Sequence, residues 1–134
     1  MIIGYRTKLP DGNPTGFVEK ILAGTKIHTI RTNGDRWRIG MSIQHATGVR
    51  TRHYRKFADG VLKGKQPVAM WRRRGRLAVA IDGKALTAER LQLLAVNDGF
   101  DTLEQFERWF LAVVDKQPDR TYHGTLLHFT DFNY

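Results

Sequence analysis

Lys26, His28, Thr29 and Arg31 fall within six residues of one another, alternating with Ile27 and Ile30 shortly after Gly24. A threonine hydroxyl is inert at its own pKa, but a neutral lysine beside it could take its proton. That requires burial and nearby cations to lower the lysine pKa by about three units, and Arg31 is placed to supply the repulsion. The same side chains can bind without cleaving, Lys26 and Arg31 to phosphate and Thr29 to a base edge. A solvated loop lysine and a plain strand threonine are the bland alternatives, and the residues alone leave all of these open.

The elements that must position these side chains are legible on either side. Phe17, Val18, Ile21 and Leu22 form an apolar helical stripe, and a glycine just past such a stripe is a C-cap signal. Ile27–Arg31 alternates as a strand start, so the polar residues sit at a helix-to-strand corner. Upstream, Met1–Tyr5 suits an opening strand and Leu9–Pro14 is turn chemistry. Downstream, Thr32–Arg36 turns at Asn33-Gly34 and Met41–Ala46 has the period-two pattern of a half-buried strand. From Thr47 to Lys65 periodicity fails amid Arg, Lys and Gly, which reads as a long functional loop. Pro67–Trp71 and Leu77–Ile81 read as strands flanking a basic tip at Arg72–Arg76. Thr87 caps a helix over Ala88–Val96, and Asp101 or Thr102 caps another over Leu103–Val114, with Leu103, Phe106, Phe110 and Val113 on one face. Thr121–Phe132 reads as a closing strand. Strands not separated by regular crossover helices argue against a doubly wound sheet and for α+β, a small, mostly antiparallel, curved sheet or barrel with flanking helices.

Charge is concentrated in one part of the chain. Of 22 basic and 13 acidic residues, 13 basic and only two acidic ones (Asp35, Asp59) fall between Arg31 and Arg76. Such a concentrated positive field is the usual footprint of a polyanion site. Within it Arg36, Trp37 and Arg38, then Arg50, Arg52, Tyr54, Arg55 and Lys56, then Arg72, Arg73 and Arg74 beside Trp71, interleave guanidinium groups with rings. Arginines neutralise phosphates while exposed rings stack on unpaired bases, and Tyr54, in a polar stretch, is the better stacking candidate. Trp37 and Trp71 could equally be core residues.

The bulk numbers bound the rest. With 134 residues, one domain is expected. No cysteine is present, so disulfides and thiolate metal sites are excluded. No apolar run approaches the roughly 20 residues of a membrane span, and the N-terminus lacks a signal pattern, so the expected location is cytoplasmic. The five histidines show no HExxH-type spacing, and no Walker loop, nucleophile elbow or dinucleotide fingerprint occurs, so neither a metal nor a cofactor is expected. A cleft shared by His28, His45 and His128 is the one arrangement that would suit a metal.

Ile21–Arg31 (ILAGTKIHTIR) resembles the opening signature of ASCH domains, relatives of the PUA-like barrels: a helix ending in Gly, then Lys, a Thr three residues later, then Arg. Arg38-Ile39-Gly40-Met41 resembles the family's approach to its next strand, with Met41 in place of the common Asp. Ala95–Phe100 (AVNDGF), followed by Leu103-Glu104-Gln105-Phe106, resembles its late segment of acid, Gly, Phe and amphipathic helix. The resemblance implies a PUA-like β-barrel with a central cleft, carrying a basic insertion at about 47–76, and recognition of RNA or a modified nucleoside. Some bacterial members hydrolyse the amide of N4-acetylcytidine, and a ribonuclease activity has been ascribed to others. Their pattern of Lys, Thr and a distant Glu carries over to Lys26, Thr29 and Asp98, the last one methylene shorter than the family's acid. Asp98 could orient Lys26, shuttle a proton, or accept from a cytosine amino group. The leading expectation is RNA or single-stranded nucleic-acid binding through a cleft of Lys26, Thr29, Arg31 and Asp98. Two alternatives remain: a hydrolase of N4-acetylcytidine type or a ribonuclease in the same cleft, and a module whose basic arm docks an acidic protein partner.

Overall fold

Ile2–Tyr5 (β1) pairs in parallel with Ser42–Thr47 (β3), and β3 pairs antiparallel with Arg55–Val61 (β4), making a three-stranded sheet. A second sheet of five strands runs His28–Arg31 (β2), Thr121–His128 (β8), Gly64–Arg73 (β5), Arg76–Ile81 (β6) and Lys84–Ala85 (β7), antiparallel throughout. Three helices complete this α+β fold in the computed structural model, which describes residues 1–134: α1 (Phe17–Ala23), α2 (Ala88–Asn97) and α3 (Leu103–Asp115). No helix is long and apolar enough to cross a membrane.

Local chemistry explains most of these elements. Gly24 ends α1 in the left-handed conformation, φ 79°, its N–H reaching back to Lys20 and Ile21 carbonyls as the glycine signal requires. Thr87 and Thr102 accept from the third amides of α2 and α3, so of the two cap candidates for α3 it is Thr102 that serves. Phe106, Phe110 and Val114 recur at four-residue steps and carry the buried face of α3 onto the larger sheet. Twenty-two buried apolar residues join in one cluster.

The expected loop over Thr47–Lys65 is corrected. Only Gly48–Tyr54 and the two-residue link Leu62-Lys63 lie outside regular strands there; residues 55–61 are β4, and Gly64 already belongs to β5. β4 is an edge strand with no fully buried residue, so it lacks the alternation by which strands are recognised. Arg55 and Lys56 on it are the charges that edges commonly carry. Gly60 is a packing residue there, since a Cβ would lie 3.0 Å from His45 Nε2. The stretch 47–76 is therefore woven into both sheets, and β5 with buried Val68 and Met70 is the middle strand of the larger one.

Two further boundaries move. Arg72, Arg73 and Arg76 lie within paired strands, and the tip is Arg74-Gly75 alone, both at positive φ (52° and 77°) as a tight twisted hairpin demands. β8 stops at His128 instead of running to Phe132, because the chain then turns so that Tyr134 meets Gln66 and His28. The sheets are mostly antiparallel, but no ladder closes them into a barrel. β1 and β2, each an outer strand of its sheet, meet instead through the Arg31 Nη2 donor and the Gly4 carbonyl, 2.8 Å apart.

Because β4 pairs with β3, alternate amides in 55–61 should exchange with solvent far more slowly than those of 50–53. Hydrogen exchange read by NMR checks this, and equally fast exchange across 50–61 would restore the loop.

Candidate functional site

The corner after α1 is built by backbone bonds from three directions. Lys26 N–H returns to the Lys20 carbonyl, Ile27 N–H reaches the Asn97 carbonyl at the end of α2, and Phe129 N–H reaches the Ile27 carbonyl. Lys20 Nζ fastens α1 to the next turn, donating to the Gly99 carbonyl and to Asp101, each at 2.7 Å. This frame drives the Lys26 side chain inward, where it is 3% exposed.

Lys26 Nζ donates to the carbonyls of His28 (2.9 Å) and Asp98 (2.5 Å) and lies 4.6 Å from the centre of the Phe17 ring. Two carbonyls occupy two of its N–H bonds and leave one tetrahedral position, a proton in the ammonium and a lone pair in the amine. Asp98 Oδ1 is 3.6 Å from the nitrogen. Burial lowers the Lys26 pKa from 10.5 to about 8; Asp98 opposes the shift and Arg31 reinforces it. Burial, more than the arginine that the sequence pointed to, is the main cause.

Asp98 caps the end of α2 and is itself held from behind. Its Oδ1 is 3.0 Å from His28 Nδ1, and His28 Nε2 is 2.7 Å from the Tyr134 hydroxyl, which Asn97 Nδ2 approaches to 3.1 Å. Burial pushes the His28 pKa down and keeps the ring neutral. A neutral ring facing a carboxylate carries its proton on Nδ1, so Nε2 accepts from Tyr134, and Tyr134 in turn accepts from Asn97. Both His28 nitrogens are engaged, which leaves neither free for a metal. His128 is occupied elsewhere, with its Nε2 2.8 Å from Gln66 Oε1. His45 Nδ1 is 2.7 Å from the Tyr5 hydroxyl, its pKa lowered to about 4 chiefly by burial.

Lys26, Thr29, Arg31 and Asp98 line one cavity of about 150 Å³ between β1, β2 and the turn after α2. Tyr5, Phe17, Phe100 and Trp109 form its aromatic walls, and the Arg6 guanidinium lies 5.5 Å over the Trp109 ring. Thr29 is 5% exposed, and its hydroxyl makes no hydrogen bond within the chain. The four residues read from the sequence thus converge. Tyr5, Arg6, Tyr134 and the orienting role of His28 were missed, because they arrive through strand pairing and the return of the chain after β8, with no local motif to announce them.

The basic stretch divides. Tyr5 pairs Thr47 across β1 and β3, and Thr47 pairs Arg55 across β3 and β4, so the turn Gly48–Tyr54 lies at the cleft end of the smaller sheet. Val49 packs so closely on cleft-lining Gly4 that a Cβ there would come within 2.8 Å of it. Arg50, Arg52, Tyr54, Arg55 and Lys56 are exposed in this region, with Lys56 paired to Asp59 at 3.1 Å. Arg36 and Arg38 are also exposed, but Trp37 is buried in the core at 6% and is no stacking platform. Arg72, Arg73 and Arg74 do not join the cleft. Along β8, Thr125 beside Arg31 and Thr121 beside Trp71 are separated by about 13 Å at the usual strand rise. Arg72 is tied to Asp115 (2.8 Å) and the neighbouring Arg76 to Glu107 (2.6 Å), so much of this tip's charge is spent on α3. Comparison with protein-family models, curated proteins and solved structures finds no match.

Gly99 holds φ 94°, and a Cβ there would lie 2.8 Å from Lys26 Cδ and 3.0 Å from a Phe17 ring carbon. Gly99→Ala should cost about 1–2 kcal/mol in backbone strain and about 1–3 more in overpacking. Gly24→Ala has open space around its Cβ and should cost the strain alone. Urea midpoints distinguish the two. Between pH 8 and 10.5 the unfolded chain holds a proton on Lys26 that the folded chain has released, so stability from this residue rises with pH across that window. Lys26→Met should lack that rise, measured by denaturation at pH 7.5, 9 and 10.5.

Proposed function

We propose that this protein binds single-stranded RNA or another single-stranded nucleic acid, seating one unpaired base in the cleft while the turn Gly48–Tyr54 and its flanks hold the backbone. The observation that carries this reading is the packing of Val49 on cleft-lining Gly4, which sets the turn that bears the unpaired Arg50 and Arg52 beside the cleft. The cleft suits a base: aromatic walls for its faces, with Thr29, Asp98 and Lys26 for its edge. We read the two sheets, with the cleft at the β1–β2 seam, as an opened variant of the PUA-like barrel that the ASCH-like motifs suggest.

Fluorescence anisotropy with labelled single-stranded RNA, single-stranded DNA and duplex DNA across a salt series tests it. Replacing Arg50, Arg52 and Arg55 by alanine together should lower the salt slope by about 2, at roughly 0.7 per phosphate contact. Tyr54→Ala should weaken binding about 5- to 160-fold, the equivalent of one stacked base at roughly 1–3 kcal/mol. Arg73→Ala and Arg74→Ala should change affinity less than about twofold. Weak binding indifferent to nucleic-acid type would overturn the reading and direct attention to an acidic protein partner.

A second reading, hydrolysis of an N4-acetylcytidine-type amide, is favoured by a lysine titrating near 8 in the same cavity as an unbonded threonine hydroxyl. Thr29 Oγ1 would attack the acetyl carbonyl as its proton passes to Lys26, with Arg31 facing the oxyanion. The C–N bond then breaks, the cytosine amine takes the proton back from Lys26, and water releases acetate from the acyl-threonine. Turnover of N4-acetylcytidine, followed by ultraviolet absorbance, should rise with pH to an inflection near 8. It should fall at least about 100-fold in Lys26→Ala and in Thr29→Ala. Cytidine binding without turnover in the intact protein would leave the cleft as a binding site only.

A further inference from the structure

Charge accounting in the cleft leaves two cations without a carboxylate, the exposed Arg6, which lies over the Trp109 ring, and the more deeply set Arg31. Lys26 has Asp98 beside it, and Asp98 is already shared with His28. Arg31 is half-buried, yet it makes one internal hydrogen bond, from Nη2 to the Gly4 carbonyl, and no carboxylate lies within ion-pair distance. Its Nε is buried with no partner at all. The Tyr5 ring lies 5.4 Å from the guanidinium, and burial holds that phenol above its usual range, so it supplies no counter-charge. A half-buried guanidinium whose Nε has no partner and no nearby carboxylate is one that an anion would complete.

Arg31 also forms the wall between two spaces. Beyond it, on the side away from Lys26, is a second cavity of about 210 Å³ that shares Gly4 and Arg31 with the cleft. Its other polar walls are Thr32, Asn33 and Arg36, and no acidic residue lines it. Arg36 is exposed and unpaired, and Asp35, next to it in the chain, stands outside the cavity. Two guanidinium groups with an amide and a hydroxyl match a phosphate, whose oxygens accept bidentate hydrogen bonds from arginines.

We propose that this second cavity is a phosphate subsite, in which Arg31 and Arg36 clamp the phosphate adjoining the nucleoside whose base occupies the cleft. The adjacency of the spaces makes the preferred ligand a nucleotide, either free or within a strand. The proposal rests on the reading of the cleft as a base site, but the phosphate half is separately measurable.

Titration calorimetry of the full chain with cytidine, cytidine 5′-monophosphate, cytidine 3′-monophosphate and inorganic phosphate tests it. One monophosphate should bind at least about tenfold tighter than cytidine, and Arg36→Ala should reduce that ratio to under about threefold. Lys116→Ala, on an exposed residue at the end of α3, should keep the ratio. Arg36 is exposed, so its replacement leaves the fold intact, which a thermal melt verifies. Cytidine binding with no gain from either phosphate would overturn the subsite and spare the base reading. Inorganic phosphate binding that is lost in Arg36→Ala, with no response to cytidine, would support the subsite and overturn the base reading. No response to any of the four ligands would overturn both.

Discussion

The burial of Lys26 is the constraint to which the surrounding structure answers. An ammonium group taken out of water is costly, and the chain offsets this with two carbonyl acceptors, a nearby carboxylate and the face of Phe17. They come from three places: β2 gives the His28 carbonyl, the C-cap of α2 gives both the carbonyl and the carboxylate of Asp98, and α1 gives Phe17. The glycine that ends α1 and the glycine that follows Asp98 are the two backbone concessions that let the elements meet there. Compensation is incomplete, and the remaining penalty appears as the lowered pKa. A group near neutrality in its proton affinity is suited to proton transfer, so the cost of burial and the proposed chemistry would have one source.

Asp98 is held in place from the side away from Lys26. His28, itself oriented by Tyr134, bonds the carboxylate from behind, and Asn97 bonds the Tyr134 hydroxyl. The neutral imidazole is a donor to the carboxylate that does not add a second positive charge beside Lys26. The chain's return after β8 is therefore part of the site: Tyr134 is fastened by Gln66 through its main chain and reaches His28 through its hydroxyl.

What the sequence disclosed, and what it concealed, follows from range. Lys26, Thr29 and Arg31 were legible because a capped helix end and a strand start are local events that fix side-chain placement within a few residues. Asp98 was reached only through the resemblance of its segment to the late ASCH motif, and nothing local says that the Ile27 amide bonds Asn97, 70 positions on. β4 was read as loop because an edge strand buries neither face, and Trp37 was offered as a stacking ring because burial is decided by tertiary packing. The hairpin Arg72–Arg76 looked like part of a single basic arm; its ion pairs to α3 and its place along β8 depend on sheet order, which composition does not encode. The expectation of a mostly antiparallel α+β fold holds, while no ladder closes the sheets into a barrel and the seam between β1 and β2 stays open around Arg31.

The most direct test is to titrate the isotopically labelled protein with cytidine and follow its backbone NMR signals. Saturable shifts concentrated at Thr29, Arg31, Gly99 and Val49 are expected, since base, cleft and basic turn would then respond together. Shifts confined to the Arg72–Arg76 hairpin, or none at millimolar cytidine, would contradict the cleft as the place where a base is held.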